Sequence, residues 1–268
     1  MTSKHFAVIG SPIEHSLSPK IHSVAYEFLG LDWDYTRFEV KEDGLSSFLG
    51  AEGSHLAGIS VTMPLKNKAA AIATNSDSIV EQLGVANTLL KTQAGYSAYN
   101  TDVFGIQQAL AGAWAEGIES IAILGAGATA QSALYAVAVN SPDAKVAVYA
   151  RDVSRSEAIR SLAASLGVNL EIRELGAYST SHNLTISTIP SLALDDLVAG
   201  NQDGWFLNAS YSSKDLAFTK QFSAGRAVAG ETMLTWQAIA RIRIFLTGST
   251  DIELDNEAGL FAKMSGAL

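Results

Sequence analysis

IAILGAGATAQSALYAVAV, Ile121 to Val139, is the stretch that decides the fold. Its first residues are apolar without alternation, the pattern of a strand covered on both faces, and such strands belong to parallel sheets. A glycine turn follows, then an alanine-rich helix. KVAVYA, Lys145 to Ala150, returns about twenty residues later as the neighbouring parallel strand. Within that βαβ frame the turn supplies Gly125, Ala126, Gly127, Ala128, Thr129 and Ala130. The first glycine permits a tight turn and the second lets a pyrophosphate approach the backbone. Ala130 replaces the third glycine, whose main service is close helix packing. A glycine turn can be purely structural, but its place between an apolar strand and a helix favours a dinucleotide site.

The end of the second strand bears on which dinucleotide. An acidic residue there commonly bonds ribose hydroxyls, whereas arginine accommodates a 2′-phosphate. The segment reads Ala150, Arg151, Asp152, with Arg155 further on. Two guanidinium groups suit a phosphate because each can bind it bidentately. Asp152 has two readings, ribose contact or N-cap of the helix in VSRSEAIRSLA. The expectation is NADP, with NAD as the alternative.

Outward from this unit, the first hundred residues alternate strand-like HFAVIG, DYTRFEV, GISVTM and NTLLK with helix-like SPKIHSVAYEFLG and KNKAAAIA. Alternation of this kind predicts an α/β sheet with helices against it. Ser18 and Pro19 form an expected N-cap and N1 pair for a helix ending near Gly30. One helix is expected from about Asp102 to Ala115, another from Thr232 to Leu246 and a last near Asn256 to Met264. Strands are expected at NLEIREL, LTISTIP and WFLNAS.

Composition narrows the function classes. The 268 residues carry 48% apolar side chains, no cysteine and a formal net charge of -9. Without cysteine there is neither a disulfide framework nor a thiolate metal site, and no metal is expected. Excess negative charge opposes nucleic-acid binding, which requires a basic surface. No apolar run reaches membrane-spanning length, and MTSKHFAVIG enters a strand without a signal-peptide pattern. A soluble cytoplasmic protein is therefore expected, with no membrane or nucleic-acid partner.

GISVTMPLKNK, Gly58 to Lys68, places Lys66 just past a strand that Pro64 cannot extend. A lysine there is ordinarily solvated surface. HSLSPKIHS, VANTLL and YNTDVFG add hydroxyls, amides and one carboxylate near other strand ends, each explicable alone as a cap or turn. Together they form an inventory suited to a small polyhydroxylated acid at a sheet edge. His15 and His22 lack a third metal ligand nearby and read as turn or helix-face residues. Trp236, Met233, Leu234 and Ile239 read as core of the C-terminal helix.

In order and spacing, SLSP (16–19), SVTMPLK (60–66), ANT (86–88), NTDVFG (100–105), GAGATA (125–130) and GETMLTWQA (230–238) resemble the shikimate dehydrogenase family. The resemblance implies a substrate domain of mixed, mainly parallel sheet (1–103), an inserted Rossmann NADP domain (104–231) and C-terminal helices completing the first domain (232–268). It implies reversible reduction of 3-dehydroshikimate to shikimate in aromatic amino-acid biosynthesis, by a monomer or homodimer. By the same resemblance Lys66 and Asp102 are the catalytic pair. Ser16, Ser18 and Tyr211 would meet the substrate carboxylate, and Thr62, Asn87 and Gln237 its hydroxyls. Gly125 to Ala130, Ala150 to Asp152, Arg155 and Gly230 would serve the cofactor. An ammonium is a ready donor to the oxygen when a ketone is reduced, and a neighbouring carboxylate favours that charged form.

Departures from the family pattern cluster in one region. Ser187, Thr188, Ile189 and Pro190 replace Asn-Ala-Thr-Pro, Asn208 replaces an aspartate, Ser213 a proline, and Glu231 follows Gly230. Two other readings accompany the main one, an NAD-dependent quinate/shikimate dehydrogenase and a non-catalytic NADP- or metabolite-binding paralogue.

Overall fold

The computed structural model describes residues 3–179, 181–194, 197–198, 201–210 and 217–268. The chain forms two compact units, one made of residues 1–101 with 235–268 and the other of residues 102–234.

The first unit contains β1 (Lys4–Gly10), α1 (Ser18–Phe28), β2 (Trp33–Glu39), α2 (Leu45–Gly50), β3 (Gly58–Val61), α3 (Lys66–Ile72), β4 (Asn75–Ser76), α4 (Ser78–Leu83), β5 (Thr88–Thr92) and β6 (Gly95–Tyr99). Its six strands lie in the order β2-β1-β3-β5-β6-β4. β1 runs parallel to both β2 and β3, while β5 is antiparallel to β3 and β6. The sheet is thus mixed, as expected, and β5 makes both of these antiparallel pairings. The β3–β5 pairing has a consequence for function: the end of β3 and the start of β5 meet at one edge, with Ser60 opposite Thr88.

Past β6 come α5 (Thr101–Ala109), α6 (Ala111–Glu116), β7 (Ser120–Leu124), α7 (Ala128–Asn140), β8 (Lys145–Ala150), α8 (Glu157–Leu166), β9 (Leu170–Glu174), β10 (Leu184–Ser187), β11 (Trp205–Asn208) and β12 (Ala227–Val228). The second unit's order is β12-β11-β10-β7-β8-β9, every pair parallel. Counted within the unit this is the doubly wound order 3-2-1-4-5-6 read from the other edge, a Rossmann sheet. Its central strand β7 is apolar after Ser120 because both faces are covered, and Ile121, Ala122, Ile123 and Leu124 are all fully buried.

α9 (Gly230–Thr247) and α10 (Glu257–Ser265) close the chain. From Thr235 onward α9 belongs to the first unit. Its Phe245 stacks on Phe6 of β1, with centroids 4.3 Å apart. Burying one such ring stabilises by about 1.5–3 kcal/mol. The packing requires Gly58, where a Cβ would stand 2.5 Å from the Phe245 ring. Arg243, buried on the same helix, donates to both carboxylate oxygens of Glu257 at 2.6 and 2.5 Å and to the Thr250 carbonyl at 2.7 Å, which ties α9 to α10.

Several local expectations need correction. Ser18 is the first helical residue of α1 rather than its cap; Leu17 holds that place, and no side chain caps the helix. The helix foreseen over 102–115 is two, α5 and α6, separated at Leu110. β3 ends at Val61, three residues before Pro64, because Thr62 turns the chain into the start of α3. Asp102 lies one place inside α5, so it does not hold a cap position.

Candidate active site

The polar residues of the first unit converge through backbone pairing at one sheet edge. The Thr62 N–H donates to the Ile9 carbonyl and the Val61 N–H to the Asn87 carbonyl. The Ala86 N–H donates to the carbonyl of Lys66, and the Asn87 N–H to that of Tyr99. β1, β3, the first residue of α3, β5 and β6 therefore end or begin together, carrying Thr62, Lys66 and Asn87. Gly10 allows this closeness, since a Cβ there would lie 2.4 Å from Thr62 Cγ2 and 2.7 Å from the Met63 carbonyl oxygen.

Asn87 is buried at 1% exposure and is the hub. Its Oδ1 accepts from the Thr101 backbone N–H at 2.9 Å, the Thr101 hydroxyl at 3.1 Å and the Thr88 hydroxyl at 3.0 Å. Its Nδ2 donates to Gln237 Oε1 at 3.3 Å. Gln237 is thus brought from α9 to the edge where Lys66 and Thr62 start. Ser16 and Ser18, both buried, lie on the segment leaving β1, and the Ser18 N–H faces the Ser16 hydroxyl at 3.4 Å. That segment begins at this edge, because the Ser11 N–H donates to the Met63 carbonyl.

Asp102 is buried at 3% exposure in the first turn of α5, where the helix macrodipole favours a carboxylate. It is the first residue of the second unit and follows directly on Thr101, which Asn87 holds. Tyr211 and Ser213 lie outside the described residues.

In the second unit the glycine turn sits at the topological switch point, between β7 and its neighbours β8 and β10. Gly125 has φ +107°, open to glycine alone at low cost, and a Cβ would strike Thr188 Oγ1 at 2.4 Å. Thr188, one of the departures from the family pattern, donates its hydroxyl to the Leu124 carbonyl at 2.8 Å and so packs onto this turn. Gly127, the N-cap of α7, differs from Gly125. Its φ of −84° suits any residue, and a Cβ would meet nothing within 4 Å. Protein packing does not demand that glycine, whereas close approach of a ligand to the backbone would. Ala128 and Thr129 open α7, Ala126 precedes them half-buried, and Ala130 is fully buried against the sheet.

Ala150, buried, ends β8. Arg151 and Arg155 follow, both exposed. Asp152 caps the turn between them, accepting from the Ser154 N–H at 3.0 Å and from its hydroxyl at 2.5 Å. Those bonds, the hydroxyl's first, hold its carboxyl below the usual carboxylate range. The cap reading of Asp152 therefore has a structural partner. Asn208 is buried at the end of β11 and accepts from the Ser210 N–H at 3.2 Å. Gly230 is buried and begins α9.

Sequence reading missed Thr88, Thr101 and Arg241 as members of the Asn87 network. The available signal was Arg241 itself, four residues after Gln237 and one of two cations, with Arg243, in a helix stretch that is otherwise apolar. Among the described residues no group of three or more His, Cys, Asp or Glu could hold a metal ion, and no helix is long and apolar enough to cross a membrane.

A Rossmann-ordered unit with a glycine turn at its switch point, inserted in a second α/β unit with a polar strand edge, defines the class of two-unit nucleotide-binding α/β enzymes. Within it, residues 8–89 match the shikimate dehydrogenase substrate binding domain. The chain is 31% identical to the NADP(+) shikimate dehydrogenase of Methanothrix thermoacetophila, over 90% of this chain and 91% of that protein. It is 34% identical to that of Ignicoccus hospitalis over 164 residues, 61% of this chain and 60% of that protein. The crystal structure of Mycobacterium tuberculosis shikimate dehydrogenase superposes with a TM-score of 0.84 at 30% identity, covering 99% of this chain and 100% of that one. The chain belongs to the shikimate dehydrogenase family.

Proposed function

We propose that this protein is an NADP-dependent shikimate dehydrogenase, oxidising shikimate to 3-dehydroshikimate and running the reverse reduction. The observation that carries this reading is the strand edge at which Asn87, hydrogen-bonded to Gln237, stands with Thr62 and Lys66 in a chain of that family. Bound NADP would supply the hydride chemistry at the substrate carbon.

The chain's own residues then have three tasks. Asn87, Gln237 and Thr62 bind the hydroxyls of the ring with neutral donors and acceptors, and the Thr101 and Thr88 bonds hold Asn87. Ser16 and Ser18 offer hydroxyls to the carboxylate. Lys66, in its ammonium form, gives a proton to the carbonyl oxygen during reduction and recovers it during oxidation, and Asp102 orients it and accepts from the same hydroxyl. Proton transfer at that oxygen must accompany hydride transfer at the adjoining carbon, or charge would build up on the oxygen.

The second unit fits a 2′-phosphorylated dinucleotide. Gly125 and Gly127 would admit the pyrophosphate at the start of α7, and Arg151 with Arg155 would hold the 2′-phosphate. Asp152, occupied with Ser154, acts as a turn cap and leaves that phosphate unopposed by a ribose-directed carboxylate.

Absorbance at the NADPH band, with shikimate and quinate crossed against NADP and NAD, tests the reading. Turnover is expected with shikimate and NADP. Equal or better turnover with NAD would replace the cofactor assignment, and binding of shikimate without any turnover would establish the non-catalytic alternative.

A further inference from the structure

We infer that Arg241 is a positioning residue for substrate recognition, holding the Asn87 side chain in one orientation through the hydroxyl of Thr88. The inference rests on the proposal that Asn87 and Gln237 bind the substrate's hydroxyls.

Arg241 is 3% exposed on α9, one helical turn beyond Gln237. No ion pair joins it to a carboxylate among the described residues; its neighbours are Thr88 and His22. Burying a guanidinium without an anion is costly, so its place on the buried face of this helix calls for a compensating use. Arg241 Nε donates to Thr88 Oγ1 at 3.1 Å, and its Nη1 faces His22 Nε2 at 3.5 Å.

The directions of these bonds are forced. Arginine has donors only, so Thr88 Oγ1 must accept. The one hydroxyl hydrogen of Thr88 is then directed to its other contact, Asn87 Oδ1, 3.0 Å away. Two further donors, the N–H and hydroxyl of Thr101, reach the same oxygen. Reversing the Asn87 amide would set its NH2 against these donors. With the oxygen so held, Nδ2 is turned to Gln237 Oε1. Thr101 alone could orient the oxygen, but the Thr88 hydroxyl would be able to rotate away. Arg241 removes that freedom, and its charge strengthens the chain of bonds by polarising it. α9 therefore grips two consecutive residues of the edge, Gln237 on Asn87 and Arg241 on Thr88.

Two substitutions separate this role from packing. In Arg241→Gln the amide nitrogen occupies the place of arginine Nε, counted bond by bond from Cα, and can donate to Thr88 without any charge. In Arg241→Met a methyl carbon occupies that place. The expected result for methionine is a KM for shikimate raised about two- to tenfold, the effect of one weakened hydrogen bond, with the KM for NADP unchanged. Glutamine should return the shikimate KM to within about twofold of the parent. Side-chain amide NMR of Asn87 gives a readout that needs no turnover: its signals should lose exchange protection in the methionine variant and regain it with glutamine. Equal impairment by both substitutions, or Asn87 signals that do not change with methionine, would overturn the inference. Should Arg241→Met fail to fold, Thr88→Val cuts the same relay from its other end and is read identically. An unsubstituted protein that does not oxidise shikimate would defeat the functional proposal, while the NMR arm would still decide the positioning role.

Discussion

The side-chain amide of Asn87 meets Gln237 Oε1 at 3.3 Å across 150 residues of chain. One partner opens a strand of the N-terminal sheet and the other lies on the helix by which the chain returns to it. Gln237→Ala removes one neutral hydrogen-bonding group, so we predict a shikimate KM raised about tenfold with the NADP KM unchanged. Asn87→Leu also strands the buried Thr101 N–H and Thr88 hydroxyl, and should cost about 1–3 kcal/mol in urea unfolding as well.

Lys66→Ala removes the proposed proton donor from the first turn of α3. Positioned acid or base groups contribute about 10²–10⁴-fold, and kcat should fall by that order while shikimate binding measured by calorimetry changes modestly. Near-normal turnover in this variant would sink the assignment.

For the cofactor, Arg151→Gln combined with Arg155→Gln should raise the KM for NADP about tenfold, a value at the low end for charged hydrogen bonds because both side chains are exposed. The weaker reaction with NAD should be unaffected. Asp152→Asn keeps an acceptor for Ser154 and should leave the ratio of NADP to NAD activity as it was.

Glu257→Gln breaks the close pair that joins α9 to α10 and leaves Arg243, 5% exposed, only the longer contact to the exposed Glu253 at 3.9 Å. A destabilisation of about 3 kcal/mol, the low end for breaking a buried pair, is expected from chemical denaturation, since the buried cation loses its close partner and keeps the distant Glu253 and the Thr250 carbonyl. Loss of less than about 1 kcal/mol would mean that the pair behaves as a surface bridge.

His22 is fully buried, stacked on Tyr35 at 4.0 Å, and burial followed by the nearby Arg241 charge hold its pKa well below the ordinary histidine value. Below pH about 6.5 the unfolded chain binds a proton that the folded chain refuses, so stability falls as pH drops, by up to about 1.4 kcal/mol per pH unit. Above that pH the contribution is fully present. His22→Phe should flatten this part of the stability–pH curve, as followed by urea midpoints between pH 5 and 7.

The unbroken apolar run of β7, the glycine turn and the alanine-rich α7 are local patterns, and they determined the Rossmann unit because nothing distant competes with them. The same holds for the position of Lys66 past β3 and of Arg151 and Arg155 after β8. Where local signals were weak, the reading slipped: Ser18 and Pro19 look like a cap pair, yet Leu17 takes the cap, and Leu110 divides a helix whose periodicity runs on.

Only the tertiary structure decided what Asn87 touches. β5 lies antiparallel beside β3, which sets Thr88 against Ser60, and α9 returns over that edge to bring Gln237 and Arg241 from 150 and 153 residues away. Side-chain periodicity reports which face of an element is buried, not what lies opposite. Whether a buried arginine has an acid or a hydroxyl for its partner depends on atoms a few ångströms apart in space and, for Arg241 and Thr88, 153 residues apart along the chain.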